Sequence, residues 1–362
     1  MTQRPELTVV MPVRNEAGHI RAVLDQLCAQ TLEPERYEII VVDGYSEDAT
    51  RSDVLAAAGD HPHIHLLYNP RFTSGAGRNI GAAHARAPYI LFVDGHCEIA
   101  SPTMLASALA AFQRGERCLS RPQPQLDAGV SVFQQAVSVT RNSALGHQTG
   151  SKIYDEACGH CNPLSAGCGY ERRLFEELGG VDEAFDAAED LEFNLRVHRA
   201  GVEAYHDPDF TVSYHPRRDW RGLLRQLYRY GYGRALMGRK YPGTISAPAL
   251  GLAVLVLVAG LLPLMGFAWP AAWAAWGAMG ATYALVTVGL AGRLARWRPA
   301  LWFAAVRCFV AIHLGAGLGY LSGLVGGPGW RHTPRPEVRR RIEAERSQAA
   351  SRTAAAGPDP RD

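Results

Sequence analysis

Tyr89-Ile90-Leu91-Phe92-Val93-Asp94-Gly95-His96 passes from five apolar side chains straight to a carboxylate, a glycine and an imidazole. The apolar run reads as a buried strand. A strand that ends this way sets an oxygen donor and a nitrogen donor two residues apart on one side, which suits a divalent cation holding phosphate. Upstream, residues 7–13, 37–42 and 64–68 are further short β-rich runs, with helical patterns over 16–30, 47–58 and 74–86 between them. This βαβα order predicts an α/β fold with a mostly parallel sheet, and such sheets bind ligands at the carboxyl ends of their strands. The polar residues gather there: Pro12-Val13-Arg14-Asn15-Glu16 follows the first run and Asp43-Gly44-Tyr45-Ser46-Glu47-Asp48 the second.

The 362 residues, 47% of them hydrophobic, could fill two average domains, but the apolar content is unevenly spread. No charged residue stands between Lys240 and Arg293, and residues 249–264 and 271–291 are each close to what ~30 Å of hydrocarbon requires of a helix. Residues 299–327 form a weaker third run, because Arg307 and His313 interrupt it. Arg217, Arg218, Arg221, Arg225, Arg229, Arg234, Arg239 and Lys240 precede the first span, which places the soluble part on the cytoplasmic side of the cell membrane. The apolar run at residues 7–13 is too short for a secretory signal, which agrees. Arg293, Arg296 and Arg298 fit a cytoplasmic loop after two spans, and the arginines of 331–341 ask for the same side. Either 299–327 is re-entrant or interfacial, or the charge rule fails at the tail. Residues 218–240 alternate Arg with Leu and Tyr at helical spacing and suit an amphipathic helix on a membrane surface.

The expected organisation is a soluble domain over 1–240, a multi-pass membrane part over 241–327 with two or three spans, and a basic, disordered tail over 328–362. The bilayer accounts for the clustered basic residues, and no nucleic-acid partner is expected. Of the seven cysteines, Cys158, Cys161 and Cys168 flank His160, but no second Cys-x-x-Cys stands at zinc-ribbon spacing, so reduced thiols lining a loop are expected.

Asp43 at a strand end can accept from the N–H of a uracil ring, with Glu16 near the base and ribose; equally, Asp43 and Asp48 can cap the following helix. Ser74-Gly75-Ala76-Gly77-Arg78-Asn79-Ile80-Gly81 is a glycine-rich helix entry where backbone N–H groups can approach an anion and Arg78 can pair with phosphate. It is not the dinucleotide fingerprint, whose place and spacing differ. Glu189-Asp190 stands where a helix begins, so these acids also favour its positive end.

Taken in order, 10–16, 41–48, 77–81 and 92–96 resemble glycosyltransferase family 2, the inverting enzymes of GT-A fold. The Asp-x-His form of the metal motif and the C-terminal apolar helices resemble the succinoglycan-biosynthesis branch. The resemblance implies that Asp43 contacts uracil, that Pro12 and Glu16 line the nucleotide pocket, and that Arg78 lies near the diphosphate. It further implies that Asp94 and His96 hold Mg²⁺ or Mn²⁺ where the family more often has Asp-x-Asp, the imidazole favouring the softer ion. Asp190 would be the general base within the Glu189-Asp190 motif. Gln226-Leu227-Tyr228-Arg229-Tyr230 resembles the Gln-x-x-Arg-Trp signature of processive members, with Tyr230 for Trp, which makes Gln226 and Arg229 candidates for holding the acceptor. His215, which follows a last strand expected over 210–214, is a further candidate for reaching the metal.

The implied activity is transfer of a hexose from a UDP-sugar, glucose or galactose, to a polyprenyl-diphosphate-linked saccharide in cell-surface polysaccharide assembly, with other assembly proteins as partners. A processive synthase, a nucleotidyltransferase and a non-catalytic scaffold of an export complex stand as alternatives.

Overall fold

The structure, a computed structural model, describes residues 4–126, 129–146, 157–326 and 340. Strands β1 (Leu7–Val13), β2 (Tyr37–Asp43), β3 (Ile64–Tyr68) and β4 (Tyr89–Phe92) run parallel in the order β3-β2-β1-β4. Every residue of β2 is buried, as a strand covered on both faces requires, and its Ile-Ile-Val-Val run follows from that. Beyond β4 the sheet continues through β8 (Gly167–Glu171), β6 (Cys118–Ser120), β9 (Ala204–His206) and β7 (Gly159–Cys161). β8 is antiparallel to both β4 and β6, and β7 is antiparallel to β9.

Alternation along the strands divides the core. Val9 and Met11 point into a cluster with Leu24, Val54 and Phe112, under helices α1 (Ile20–Cys28), α2 (Thr50–Asp60) and α4 (Met104–Gln113). Val10 points the other way, to Ala82, Phe92, Tyr170, Phe175 and Phe193, beneath α3 (Ser74–His84), α6 (Arg172–Glu177) and α7 (Glu189–Arg199). The glycines of α3 belong to this packing. A Cβ on Gly77 would sit 2.9 Å from Pro12 Cβ, and one on Gly81 would overlap Val10. They let the helix lie directly on β1, which is a different use from the anion approach expected of them.

Strands 7–13 and 64–68 match the expected bounds. The first helix starts at Ile20, four residues late, because Asn15 (φ 54°) and Gly18 (φ 89°) turn the chain in the left-handed region first. The expected last strand over 210–214 shrinks to β10 (Ser213–Tyr214), paired with β5 (Cys97–Glu98), since Pro208–Phe210 form a 3-10 turn capped by Asp207. Helix α5 (Val132–Arg141) was not anticipated, although Ser131 and Gln134 form a reciprocal capping box that the sequence displays. The cysteines are free thiols. Cys158 meets the Tyr205 hydroxyl at 3.0 Å and Cys168 donates to Leu119 O from the core.

Helix α8 (Trp220–Lys240) is followed by α9 (Ala247–Gly266), α10 (Ala271–Leu294) and α11 (Pro299–Leu324), the last three long and apolar enough to cross a membrane. Their surroundings differ: 11% of the apolar window is buried in α9 and in α10, against 56% in α11. α11 lies along α8, and a Cβ on Gly319 would overlap the Tyr228 carbonyl while one on Gly315 would come to 2.7 Å from Leu224 O. Small residues of this kind let two helix backbones approach closely. The two polar residues that weakened 299–327 as a span are partnered. His313 Nδ1 lies 2.9 Å from the Tyr283 hydroxyl and its Nε2 3.0 Å from Leu145 O, and Arg307 lies over Phe133 and Phe303. Helix α8 is therefore not only a surface helix, because one face is clamped to α11. Apart from Arg340, the expected tail over 328–362 lies outside the described residues.

Candidate functional site

At the carboxyl ends of β1, β2 and β4 a cleft opens, divided into a chamber of about 390 Å³ and one of about 240 Å³. Pro12, Glu16 and Phe72 line the first; Glu189, Asp190 and Tyr230 line the second; Asp94, His96, Gln226 and Arg229 face both. Sequence positions more than 200 apart thus meet in one place.

Asp94 stands just past β4, with Val93 between. Its Oδ2 accepts from the Tyr214 hydroxyl at 2.6 Å, and Arg78 Nη2 stands 3.7 Å from its Oδ1. Burial works against a charge here, but Arg78, His96 and Tyr214 together hold the carboxyl below its usual range. His96 turns its Nδ1 to Glu16 Oε1 at 3.0 Å and meets the Tyr214 ring edge-on. Burial opposes the imidazolium, yet the hydrogen bond and charge of Glu16, with Asp94, raise the pKa. Glu16 thus acts on the cleft through His96: with Nδ1 occupied, the ring's Nε2 is the nitrogen left to bind a cation, the arrangement by which a carboxylate orients a metal-binding histidine. Among the described residues no three His, Cys, Asp or Glu side chains are grouped to enclose an ion. The donor set is therefore one carboxylate and one imidazole. It fits a cation whose remaining positions are filled by phosphate oxygens and water.

Arg78 is almost buried and bridges two acids, its Nη1 lying 3.3 Å from Glu189 Oε1. Burial lowers its pKa and the carboxylates of Glu189 and Asp94 more than reverse this, so the guanidinium stays charged. Glu189 and Asp190 are adjacent but differ in environment. Glu189 is 6% exposed and burial pushes its carboxyl up, with Arg78 pulling the other way. Asp190 is exposed at the start of α7 and lines the second chamber, where among the described residues its Oδ1 accepts from Leu191 N alone. Ala188 precedes the pair at φ 65°, a left-handed conformation that costs a non-glycine residue of order 1 kcal/mol and aims the helix start into the cleft. Asn15, Tyr45 and Phe72 share that conformation in the neighbouring loops.

Asp43 is at its expected strand end but 1% exposed, and its carboxylate takes Ser46 N at 3.0 Å and Ser46 Oγ at 2.5 Å. Asp43 thus closes a turn in the loop rather than capping α2, whose N-cap Ala49 makes no side-chain cap bond, while Asp48 Oδ1 accepts from Thr50 N at 3.0 Å. Gln226 donates to the Tyr230 hydroxyl at 3.2 Å, and Arg229 binds Asp186 through Nε at 3.0 Å and through the backbone carbonyl. His215 pairs with the His19 ring at 4.8 Å, and burial lowers the pKa of both.

Several residues of the site, Phe72 among them, were not anticipated. Tyr214 was read only as strand, and Arg217 only as part of the basic cluster. Arg121 is buried beside Asp94 and donates to Phe92 O at 2.9 Å. Arg141 closes the second chamber from α5. Nothing in the local sequence marks Arg121 or Arg141, whose placement depends on packing.

The family model for glycosyl transferase family 2 matches residues 8–179. The succinoglycan biosynthesis protein ExoA of Rhizobium meliloti is 31% identical over 251 residues, spanning 65% of this chain and 72% of that protein. A Methanococcus voltae transferase, named as acting on a dolichyl N-acetylglucosaminyl phosphate, is 23% identical over 65% of this chain and 74% of its own. Among solved structures, the mannosyltransferase PcManGT of Pyrobaculum calidifontis, in complex with GDP-Man and Mn²⁺, superposes with a TM-score of 0.56 at 18% identity over 90% of this chain and 88% of that one, a likeness of fold.

Proposed function

The chain belongs to glycosyltransferase family 2, and from that premise we propose that it transfers a hexose from a UDP-sugar to a lipid-linked saccharide, with inversion, in the assembly of a cell-surface polysaccharide. The observation that carries this is the pairing of environments in one cleft: a carboxylate and imidazole at the junction of the chambers, and an exposed carboxylate, Asp190, in the second. The relatives support the acceptor class, since one is named for succinoglycan biosynthesis and another for a dolichyl-linked acceptor.

In this reading Pro12, Asn15 and Phe72 bound the nucleotide, and Asp43 shapes the loop beside the base by holding Ser46. Asp94 and His96 would hold Mn²⁺ or Mg²⁺, which when bound neutralises charge on the departing diphosphate. Arg78 favours the charged form of Asp94 from below and opposes the burial that pushes the Glu189 carboxyl up. Asp190 takes the proton from an acceptor hydroxyl as that oxygen attacks the anomeric carbon from the face opposite UDP; the bond from that carbon to the diphosphate breaks and the configuration inverts. Gln226 and Arg229 reach the acceptor side from α8. The apolar helices α9, α10 and α11 associate the protein with the membrane, and the basic residues before α9 place the catalytic domain on the cytoplasmic face.

The test is a donor screen on membranes containing the full chain, measuring UDP release from a panel of nucleotide sugars with and without EDTA. Release from one UDP-sugar that requires a lipid-linked acceptor and is abolished by chelation is expected. Release of pyrophosphate from a nucleoside triphosphate instead, or turnover undiminished by EDTA, would overturn the proposal.

A further inference from the structure

The second chamber contains cations that its acids do not answer. Arg78 is shared by Asp94 and Glu189, and Arg229 is bound to Asp186, but Arg141 and Arg217 form no ion pair among the described residues. Arg141 is 7% exposed, its guanidinium lies 5.8 Å from the Tyr230 ring centre, and its Nε is buried with no hydrogen-bond partner among the described residues. A buried cation without an anion is costly, so a wall built this way is complementary to a negative group that arrives with a ligand. Arg217 is exposed where the two chambers meet.

The position of Arg141 is firmly set. It ends α5, whose start is fixed by the Ser131–Gln134 capping box and by Gln134 Nε2 donating to Pro216 O at 3.0 Å. The same helix buries Ala136 and Val137 with Phe309 and Ile312 of α11. The arginine is thus held where the chamber meets the apolar helices, the side from which, on the transferase reading, a membrane-borne substrate would enter.

We propose that Arg141, with Arg217 at the rim, forms an anion subsite for the phosphate of a lipid-linked acceptor, separate from the Asp94–His96 pair that faces the donor. The proposal rests on the transferase reading above and adds to it the residues that recognise the acceptor's charged link. Arg suits this because its fork meets phosphate oxygens bidentately.

The experiment follows thermal unfolding of the detergent-solubilised full chain with four additions: polyprenyl phosphate in mixed micelles, neutral polyprenol in the same micelles, inorganic pyrophosphate, and UDP with Mn²⁺. Polyprenyl phosphate is expected to raise the midpoint. Arg141→Gln should weaken its apparent affinity roughly tenfold to a hundredfold, the value of a charge-assisted hydrogen bond, with Arg141→Lys recovering part of it. The UDP-induced shift should persist in the variants, and Arg217→Gln, altered at an exposed residue, serves the same test should Arg141→Gln not fold. Equal shifts from neutral polyprenol, binding of pyrophosphate as tight as that of polyprenyl phosphate, or unchanged affinity in both variants would each overturn the subsite. Failure of the transferase reading looks different: no nucleotide sugar in the membrane screen yields UDP, while the Arg141-dependent shift remains.

Discussion

The two chambers of the cleft are built from different material. The larger stands on the carboxyl ends of β1, β2 and β4, whose registers are fixed by a continuous parallel ladder. The smaller is enclosed by α5, α7 and α8, and two of these, α5 and α8, rest on the apolar helix α11. Sheet register fixes the strand-borne wall of the first chamber, with α8 closing its other side, whereas the second is walled mainly by helices and depends on how they cross. Damage to the first should therefore follow the residue changed, and damage to the second should also follow from changes far from the cleft.

The largest effect expected separates the chambers chemically. Asp190→Asn should lower the transfer rate by ~10²- to 10⁴-fold, the contribution typical of a positioned base. Because Asp190 belongs to the second chamber, UDP binding measured by titration calorimetry should be unchanged. A comparable loss of UDP affinity would show that the division into a donor and an acceptor chamber is wrong. Glu189→Gln makes a sharp contrast, since it leaves Arg78 facing one acid in a buried setting and should be seen first as lost stability.

A smaller effect is expected in the first chamber. Glu16 holds His96 Nδ1 at 3.0 Å, and removal of such a supporting carboxylate typically weakens metal binding by ~10- to 100-fold. Glu16→Gln should raise the Mn²⁺ concentration needed for half-maximal activity by about that factor, with the rate at saturating Mn²⁺ much less affected. If the metal requirement does not move, His96 is not a ligand and Glu16 merely lines the pocket.

How much of this was legible in the sequence follows the same division. Four strands, the acid-ended β4 and the Glu189-Asp190 pair could be read because each is a local pattern: a buried run closed by a charged residue, or two acids at a helix start. The partners of those residues could not. Tyr214 reaches Asp94 across 120 positions, and Arg141 enters the cleft only because α5 packs on α11. The glycines of α3 were legible as a motif but not as to purpose, since only the structure shows Gly77 and Gly81 pressed on Pro12 and Val10. Likewise, Arg307 and His313 counted against a third apolar helix by composition, and their partners in Phe133, Tyr283 and Leu145 come from distant segments.

The least of the effects tests whether α11 supports the second chamber. Gly319 and Gly280 are both glycines inside apolar helices, but a Cβ on Gly319 would overlap the Tyr228 carbonyl of α8, while one on Gly280 of α10 meets nothing within 4 Å. Gly319→Leu should cost about 1–3 kcal/mol, the range for overpacking a close contact, and lower the unfolding midpoint in detergent. Its kinetic mark should be a KM for the acceptor raised more than that for the UDP-sugar, because α8 brings Tyr230 to the second chamber alone, while its Gln226 and Arg229 face both. Gly280→Leu should alter neither quantity. Equal behaviour of the two variants would mean that the packing of α11 on α8 does not support the second chamber, which keeps its shape without it.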